Sequence, residues 1–198
     1  AGSCSFYRDR DGDEVTNDRC NPDGPRGAAE HEDLARQQAK IVKAINGLGA
    51  EVVSLEEIEN SVHFGKDRDA AMAHLVAALN AEAGARTWAY VPSPTAVPSP
   101  EREDVIRNGF IYQQDVVVPQ GESVIYDGPE FDNARDPLAQ VFKPKEGNAA
   151  DKFILVVNHF KSKGCSESSG ADADQKDGAG CWNALRLESS QRLDAWLK

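Results

Sequence analysis

The sequence predicts a mixed α/β or α+β layered domain. Three observations lead there. Several short apolar runs break off into polar or turn residues, as strands do. Three longer segments repeat their apolar residues at helical spacing. A chain of 198 residues is long enough to bury one good-sized core, so residues 1–198 are read as a single domain. Apolar content of 40% and charged content of 28% are ordinary for a soluble globular protein. No apolar run approaches a membrane span, and no internal repeat is evident. No basic-then-apolar stretch opens the chain, so any export signal is expected to lie outside it.

Residues 1–29 are polar and turn-rich, and read as an insertion or loop. A helix is expected from about Glu30, with Leu34, Ile41, Val42 and Ile45 on its apolar face and Gly47 and Gly49 near its end. A strand over Val52–Ile58 follows, then a second helix over Arg68–Ala83 that presents Ala71, Leu75, Val76 and Leu79. Trp88–Val91 reads as a strand. The run PSPTAVPSP after it is a surface loop, because each proline lacks a backbone donor. Further strands are expected over Asn108–Tyr112 toward Val118, over Leu138–Phe142 and over Phe153–Phe160. A Gly/Ser/Asp-rich loop carries Cys165 and Cys181. The last helix, Asn183–Leu197, places Leu185, Ser189, Leu193, Trp196 and Leu197 near one face.

The four cysteines are Cys4, Cys20, Cys165 and Cys181, and none forms a CxxC pair, which weakens a zinc reading. Four cysteines allow three pairings. Cys4–Cys20 and Cys165–Cys181 enclose polar loops of equal length, and local disulfides there would imply an oxidising, secreted setting. The alternative is four free thiols in a cytosolic protein. The net charge of −11 argues against a binder of nucleic acid that relies on excess Lys and Arg. Only local basic groups and metal ions could overcome that background.

Chemistry-bearing residues gather at strand ends. EVVSLEEIEN (residues 51–60) turns from apolar to acidic where a strand leaves the core. A carboxylate on a stiff strand end suits Mg²⁺, which takes oxygen ligands and keeps several waters. Period-two alternation places Glu57 on the face of Leu55, with Glu56 and Ile58 on the other. The plain alternative is a solvated strand end. FILVVNHFKSKG (residues 153–164) is a strand covered on both sides that ends in Asn158, His159, Lys161 and Lys163. A histidine there can donate to phosphate or exchange protons near neutrality. A capping histidine with two exposed lysines is the plain alternative. Arg135 offers a fork matched to phosphate, unless it simply pairs with Asp136; Pro137 fits a strand start.

In order, RGA, ARQQAKIVKAI, EVVSLEEIEN, DVIRNGFIY, RDPLAQVF, VVNHFKSKG and CWNALRLESSQRL resemble the secreted nuclease branch of the endonuclease/exonuclease/phosphatase, deoxyribonuclease I-like, superfamily. The resemblance covers most of residues 25–198. It implies a four-layer αββα sandwich that hydrolyses phosphodiesters with Mg²⁺ or Mn²⁺. Glu57 would be the metal ligand, His159 the histidine beside the scissile phosphate and Arg135 the phosphate-orienting arginine. Asp104 would be the acidic partner of the histidine, and Asn158, Lys161 and Lys163 would meet substrate. The family's opening strand of the form NVLNYF, its later GDxNA-type strand and its terminal Asp-His pair have no counterpart here. The chain is therefore expected to be an incomplete middle portion of such a domain, inactive alone and completed by the rest of the domain or a companion fragment.

The run DRDGDEVTND adds a candidate calcium loop. Asp9, Asp11, Asp13 and Asn17, with the carbonyl of Val15, nearly reproduce the oxygen-donor spacing of an EF-hand. Glu14 stands where that loop has Gly, and Cys20 where it has Glu. The plain alternative is a solvated acidic loop. The leading expectation is thus a secreted endonuclease for DNA, or alternatively RNA, with little sequence selectivity, no membrane partner and calcium as a structural ion. The rivals are a phosphatase or phospholipid phosphodiesterase on the same scaffold, and a non-catalytic, calcium-stabilised binding module. His31, His63 and His74 read as surface residues, and Trp88, Trp182 and Trp196 as core or lid packing.

Overall fold

A computed structural model describes residues 3–21 and 24–198. In chain order the strands and helices are β1 (Ser3–Arg8), β2 (Glu14–Asn21), β3 (Gly27–Ala28), α1 (His31–Gly47), β4 (Val52–Glu59), α2 (Ala70–Ala83), β5 (Trp88–Tyr90), β6 (Ile106–Gln113), β7 (Val117–Pro119), β8 (Val124–Ile125), β9 (Arg135–Pro144), β10 (Phe153–His159) and α3 (Asn183–Trp196). Helices and small antiparallel sheets together make an α+β protein, as the residue pattern predicts.

One sheet has the order β4–β6–β5, and α1 and α2 cover one of its faces. Val42 and Ile45 of α1, Met72 and Leu79 of α2, and Trp88 and Ile111 of the sheet form that interface. The Trp88 indole N–H donates to Asn46 Oδ1 at 2.8 Å, so its one polar atom is satisfied inside an apolar layer. Gly109 on β6 leaves room for Met72: a Cβ there would stand 2.9 Å from Met72 Sδ, and the buried thioether would have to shift. A second sheet, β10–β9–β7 with β8 on β9, packs on the opposite face of the first. Phe110, Leu138, Phe142 and Val157 join the two, with Phe110 and Phe142 edge to face at 5.9 Å. β6 is therefore covered on both sides, and all its residues from Ile106 to Ile111 are buried. That double cover explains why its sequence does not alternate.

Three expectations change. Leu34 and Ile41 are exposed, and of the expected face α1 rests on Val42 and Ile45. On α3, Leu193 is buried but Leu197 is half exposed. That helix packs over the 3₁₀ turns Pro129–Phe131 and Gly170–Asp172, held by Ser189 Oγ donating to the Glu130 carbonyl at 3.0 Å and by Trp196 against Tyr126. Residues 3–21 and 24–28 are not merely loop: β1, β2 and β3 form a small antiparallel sheet. Cys4 lies directly opposite Cys20 in that sheet and is bonded to it. The second disulfide is Cys165–Cys181, as expected. Arg186 of α3 ties this second loop down by donating to the carbonyls of Cys181 at 2.7 Å and Ala179 at 2.9 Å. Among the described residues no helix is long and apolar enough to cross a membrane.

Candidate active site

The ends of β4 and β10 meet. On β4 a bulge falls between Leu55 and Ile58, and Glu57 takes the left-handed conformation with φ 58°. This corrects the simple alternation: the extra residue keeps Leu55 and Ile58 together on the helix-facing side and turns Glu57 toward the second sheet. On β10 a register shift between Val157 and His159 sets His159 opposite Arg135 of β9. The two irregularities place Glu57 Oε1 3.8 Å from His159 Nε2. The Glu57 carboxylate remains 69% exposed, whereas the imidazole is mostly buried and its Nδ1 has no hydrogen-bond partner. A non-glycine residue in the left-handed region at such a place is a mark of local strain held by its surroundings.

Arg135 does not pair with Asp136. Its guanidinium pairs with Asp104, which also takes Arg26 at 3.3 Å and the Val105 N–H at 2.6 Å. Asp104 therefore orients Arg135, and its partner is this guanidinium, not the imidazole. Asn158 donates to the Val156 carbonyl at 3.4 Å, and its Oδ1 is buried without a partner. The Lys161 ammonium lies 5.0 Å from the centre of the Trp182 ring, a cation–π contact that holds it near the cleft. Lys163 is exposed, and its carbonyl accepts from the Cys181 N–H at 3.3 Å. Glu57, His159 and Arg135 are thus brought together, Asp104 joins through Arg135, and Lys161, but not Lys163, lines the adjoining cavity.

The candidate calcium positions are divided. Asp9, Asp11 and Asp13 sit in the β1–β2 turn, where Asp9 Oδ1 accepts the N–H groups of Asp11 at 2.9 Å and Asp13 at 3.0 Å. Val15 and Asn17 lie on β2; the Val15 carbonyl accepts from Ala29 and Asn17 donates to the Ala28 carbonyl. Among the described residues, no three His, Cys, Asp or Glu side chains converge as a ligand set. A lone, exposed carboxylate at Glu57 fits one requirement of Mg²⁺ or Mn²⁺, that most of the coordination be water or substrate oxygen. His74 is exposed, as expected, with Nε2 2.7 Å from Gln38 Oε1. His63 is not a plain surface residue, since its Nε2 is buried in the Ser61–Phe64 turn.

Beside this cleft opens a cavity of about 430 Å³, with Asp104, Arg135 and Lys161 at its rim. Its deeper wall holds residues that sequence reasoning missed. Arg68 pairs with Glu103, and Arg107 with Asp69 at 2.7 Å. Buried Asn60 donates to Glu103 at 3.3 Å and to the Asp104 carbonyl at 3.2 Å, linking the end of EVVSLEEIEN to the same wall. Burial lowers the pKa of Arg107, although Asp69 opposes the shift. Burial, reinforced by Asp127 and Glu103, pushes the Asp136 carboxyl up to about 7. The missed signal was Arg107-Asn108 inside the otherwise apolar DVIRNGFIY: two polar residues in a doubly covered strand need partners or a ligand. No protein-family model matches the sequence, and neither does any curated protein.

Proposed function

We propose that the protein is a secreted, divalent-metal-dependent phosphodiesterase of the deoxyribonuclease I-like kind, cutting DNA or RNA with little sequence selectivity. The observation that carries this reading is the 3.8 Å approach of Glu57 and His159 at two facing strand irregularities, with Arg135 opposite the histidine. A Mg²⁺ or Mn²⁺ ion held at Glu57 would supply a Lewis acid for a phosphoryl oxygen. In this reading His159 donates a hydrogen bond to the same phosphate, and Arg135, aligned by Asp104, offsets charge developing on it. Two disulfides accord with an oxidising compartment. The outer layers of a four-layer sandwich belong to the same proposal. β4 pairs with β6 and β10 with β9, and their other edges carry no strand among the described residues. A further segment added there, from the same domain or a companion fragment, would bring more ligands and a base for water beside Glu57.

The test combines metal binding with cutting. Mn²⁺ titrated into the protein and followed by electron paramagnetic resonance is expected to reveal a site that Glu57→Ala removes. In the completed domain, supercoiled plasmid with Mg²⁺ or Mn²⁺ is expected to be nicked more slowly by Glu57→Ala and His159→Ala than by the parent. Equal Mn²⁺ binding and equal nicking by all three would overturn the assignment. A calcium ion at the Asp9–Asp13 turn is a separate proposal, tested by whether calcium, and not magnesium, raises the melting temperature.

A further inference from the structure

Asn60 lies just beyond β4, three places after Glu57, and is fully buried. From there it bonds to three consecutive residues of the segment that leads into β6. Its backbone N–H donates to the Val105 carbonyl at 2.8 Å. Its side-chain amide donates to the Asp104 carbonyl at 3.2 Å and to Glu103 Oε2 at 3.3 Å. Glu103 is itself fixed: its side chain is nearly buried and pairs through both oxygens with the guanidinium of Arg68. Asp104 thus stands between two anchored neighbours. Its own carboxylate accepts from the Val105 N–H and pairs with Arg135 and Arg26. A chain of contacts therefore runs from Asn60 through the backbone at 103–105 to Asp104. It continues to Arg135, which stands opposite His159.

Stability alone does not call for an asparagine here. Its Oδ1 is buried with no partner, and an unmet buried acceptor is destabilising. What the amide supplies is two N–H groups in one plane, reaching a carboxylate and a carbonyl. Aspartate has the same shape but no N–H, and would set a second negative charge beside Glu103. Leucine has a similar size and would bond to neither. The forked donor fixes the backbone at Asp104 from the inner side, and a guanidinium aligned by a carboxylate is aimed only as well as that carboxylate.

We infer that Asn60 is a positioning residue: it holds Asp104, and through it Arg135, in fixed relation to the strand end that carries Glu57. The inference rests on the nuclease reading given above and adds the residue that joins the metal side of the site to its phosphate side. Asn60 touches neither ion nor phosphate, since none of it is exposed. Its effect on a bound phosphate passes through Arg135.

The experiment is a double-mutant cycle on phosphate binding. It uses the full chain with Mg²⁺ present and inorganic phosphate as the probe, followed by ³¹P NMR. Asn60→Ala should weaken phosphate binding about tenfold, as the loss of a group that orients a binding residue does. In the Arg135→Ala background, where His159 and Mg²⁺ still hold phosphate, the same change should cost less than about twofold, because the residue it aims is already gone. An equal loss in both backgrounds would show a general structural role, and no loss in either would show none; both results overturn the inference. If the parent binds no phosphate, or binds it as well without Arg135, the nuclease reading itself falls. Should Asn60→Ala not fold, the unaltered protein decides. On addition of phosphate, the Asn60 side-chain amide resonances in a ¹H–¹⁵N spectrum should shift, while those of Asn46 and Asn80, bonded around Trp88, stay in place. Unmoved Asn60 resonances would sink the inference.

Discussion

Glu57 sits where the fold gains nothing from a glutamate. Its φ of 58° lies in the left-handed region, and its carboxylate is largely exposed. For a residue with a Cβ that conformation costs about 1–2 kcal/mol. Glycine removes the cost but returns about 0.5–1 kcal/mol through the greater freedom of the unfolded chain. The net expectation for Glu57→Gly is a gain of roughly 0.5–1 kcal/mol, since an exposed carboxylate near an imidazole contributes little to offset it. For a chain of this size that corresponds to a melting temperature higher by about 1–4 °C. Glu57→Ala keeps the strained backbone and should melt close to the parent. Both variants lose the carboxylate, so both should lose the Mn²⁺ site.

Differential scanning calorimetry beside the Mn²⁺ titration separates the two roles. A residue retained for structure loses stability when removed; one retained for chemistry can be removed with a gain. If Glu57→Gly melts several degrees below the parent, the side chain holds the bulge together and its place at the cleft is incidental. If Glu57→Gly and Glu57→Ala melt alike, the left-handed conformation is wrong, and with it the account of how the bulge turns Glu57 toward His159.

Three further outcomes follow from the same geometry. The Asp136 pKa is raised by burial first and then by Asp127, Glu103 and Asp132, with Arg102 opposing, so the folded protein holds a proton that the unfolded chain releases between about pH 4 and 7. Stability should therefore fall as pH rises through that window. Asp136→Asn should stabilise by about 2 kcal/mol at pH 8, a figure discounted for partial exposure, and by much less at pH 4, as read from urea midpoints. Replacing Cys165 and Cys181 by Ser opens a loop of sequence separation 16 and should cost about 3 kcal/mol in the same assay; no change would show that the Arg186 contacts alone hold the loop. Binding of a duplex should weaken with salt at a log–log slope of about −2, from Lys161 and Lys163; a slope near −6 would mean a basic surface elsewhere.

Much of the fold was legible because strands and helices differ in period and the segments are long. The strands ending at Glu57 and His159 stood out through the contrast between apolar runs and the acidic or basic residues after them. The bulge was not legible: EEIE contains no Gly or Pro to mark it, and perfect alternation gives Glu57 the wrong face. The β1–β2–β3 sheet was hidden because SCSFYR alternates no clear apolar face, and its register is held by Cys4–Cys20 across the pair. Leu34 and Ile41 fit a helical stripe yet face outward, because periodicity shows that a stripe exists and not which part of it the neighbouring α2 covers. The cavity wall joins Arg68, Glu103 and Asn108, with Asn60 bonded to Glu103 behind it, drawn from four separate segments. No spacing in one dimension encodes such a set.

The acidic character of the chain then takes on a different meaning. A net charge of −11 repels a polyanion, and the arginines nearest the cleft do little to reverse that, because Asp69, Glu103 and Asp104 neutralise them. What a carboxylate-bound guanidinium keeps is direction: it is a fixed donor more than a free charge, and it does not gather nucleic acid from a distance. A divalent ion at Glu57 would supply the missing attraction at one point only. Binding and chemistry would then depend on the same ion, so a site of this kind should hold its substrate only where it can also cut it.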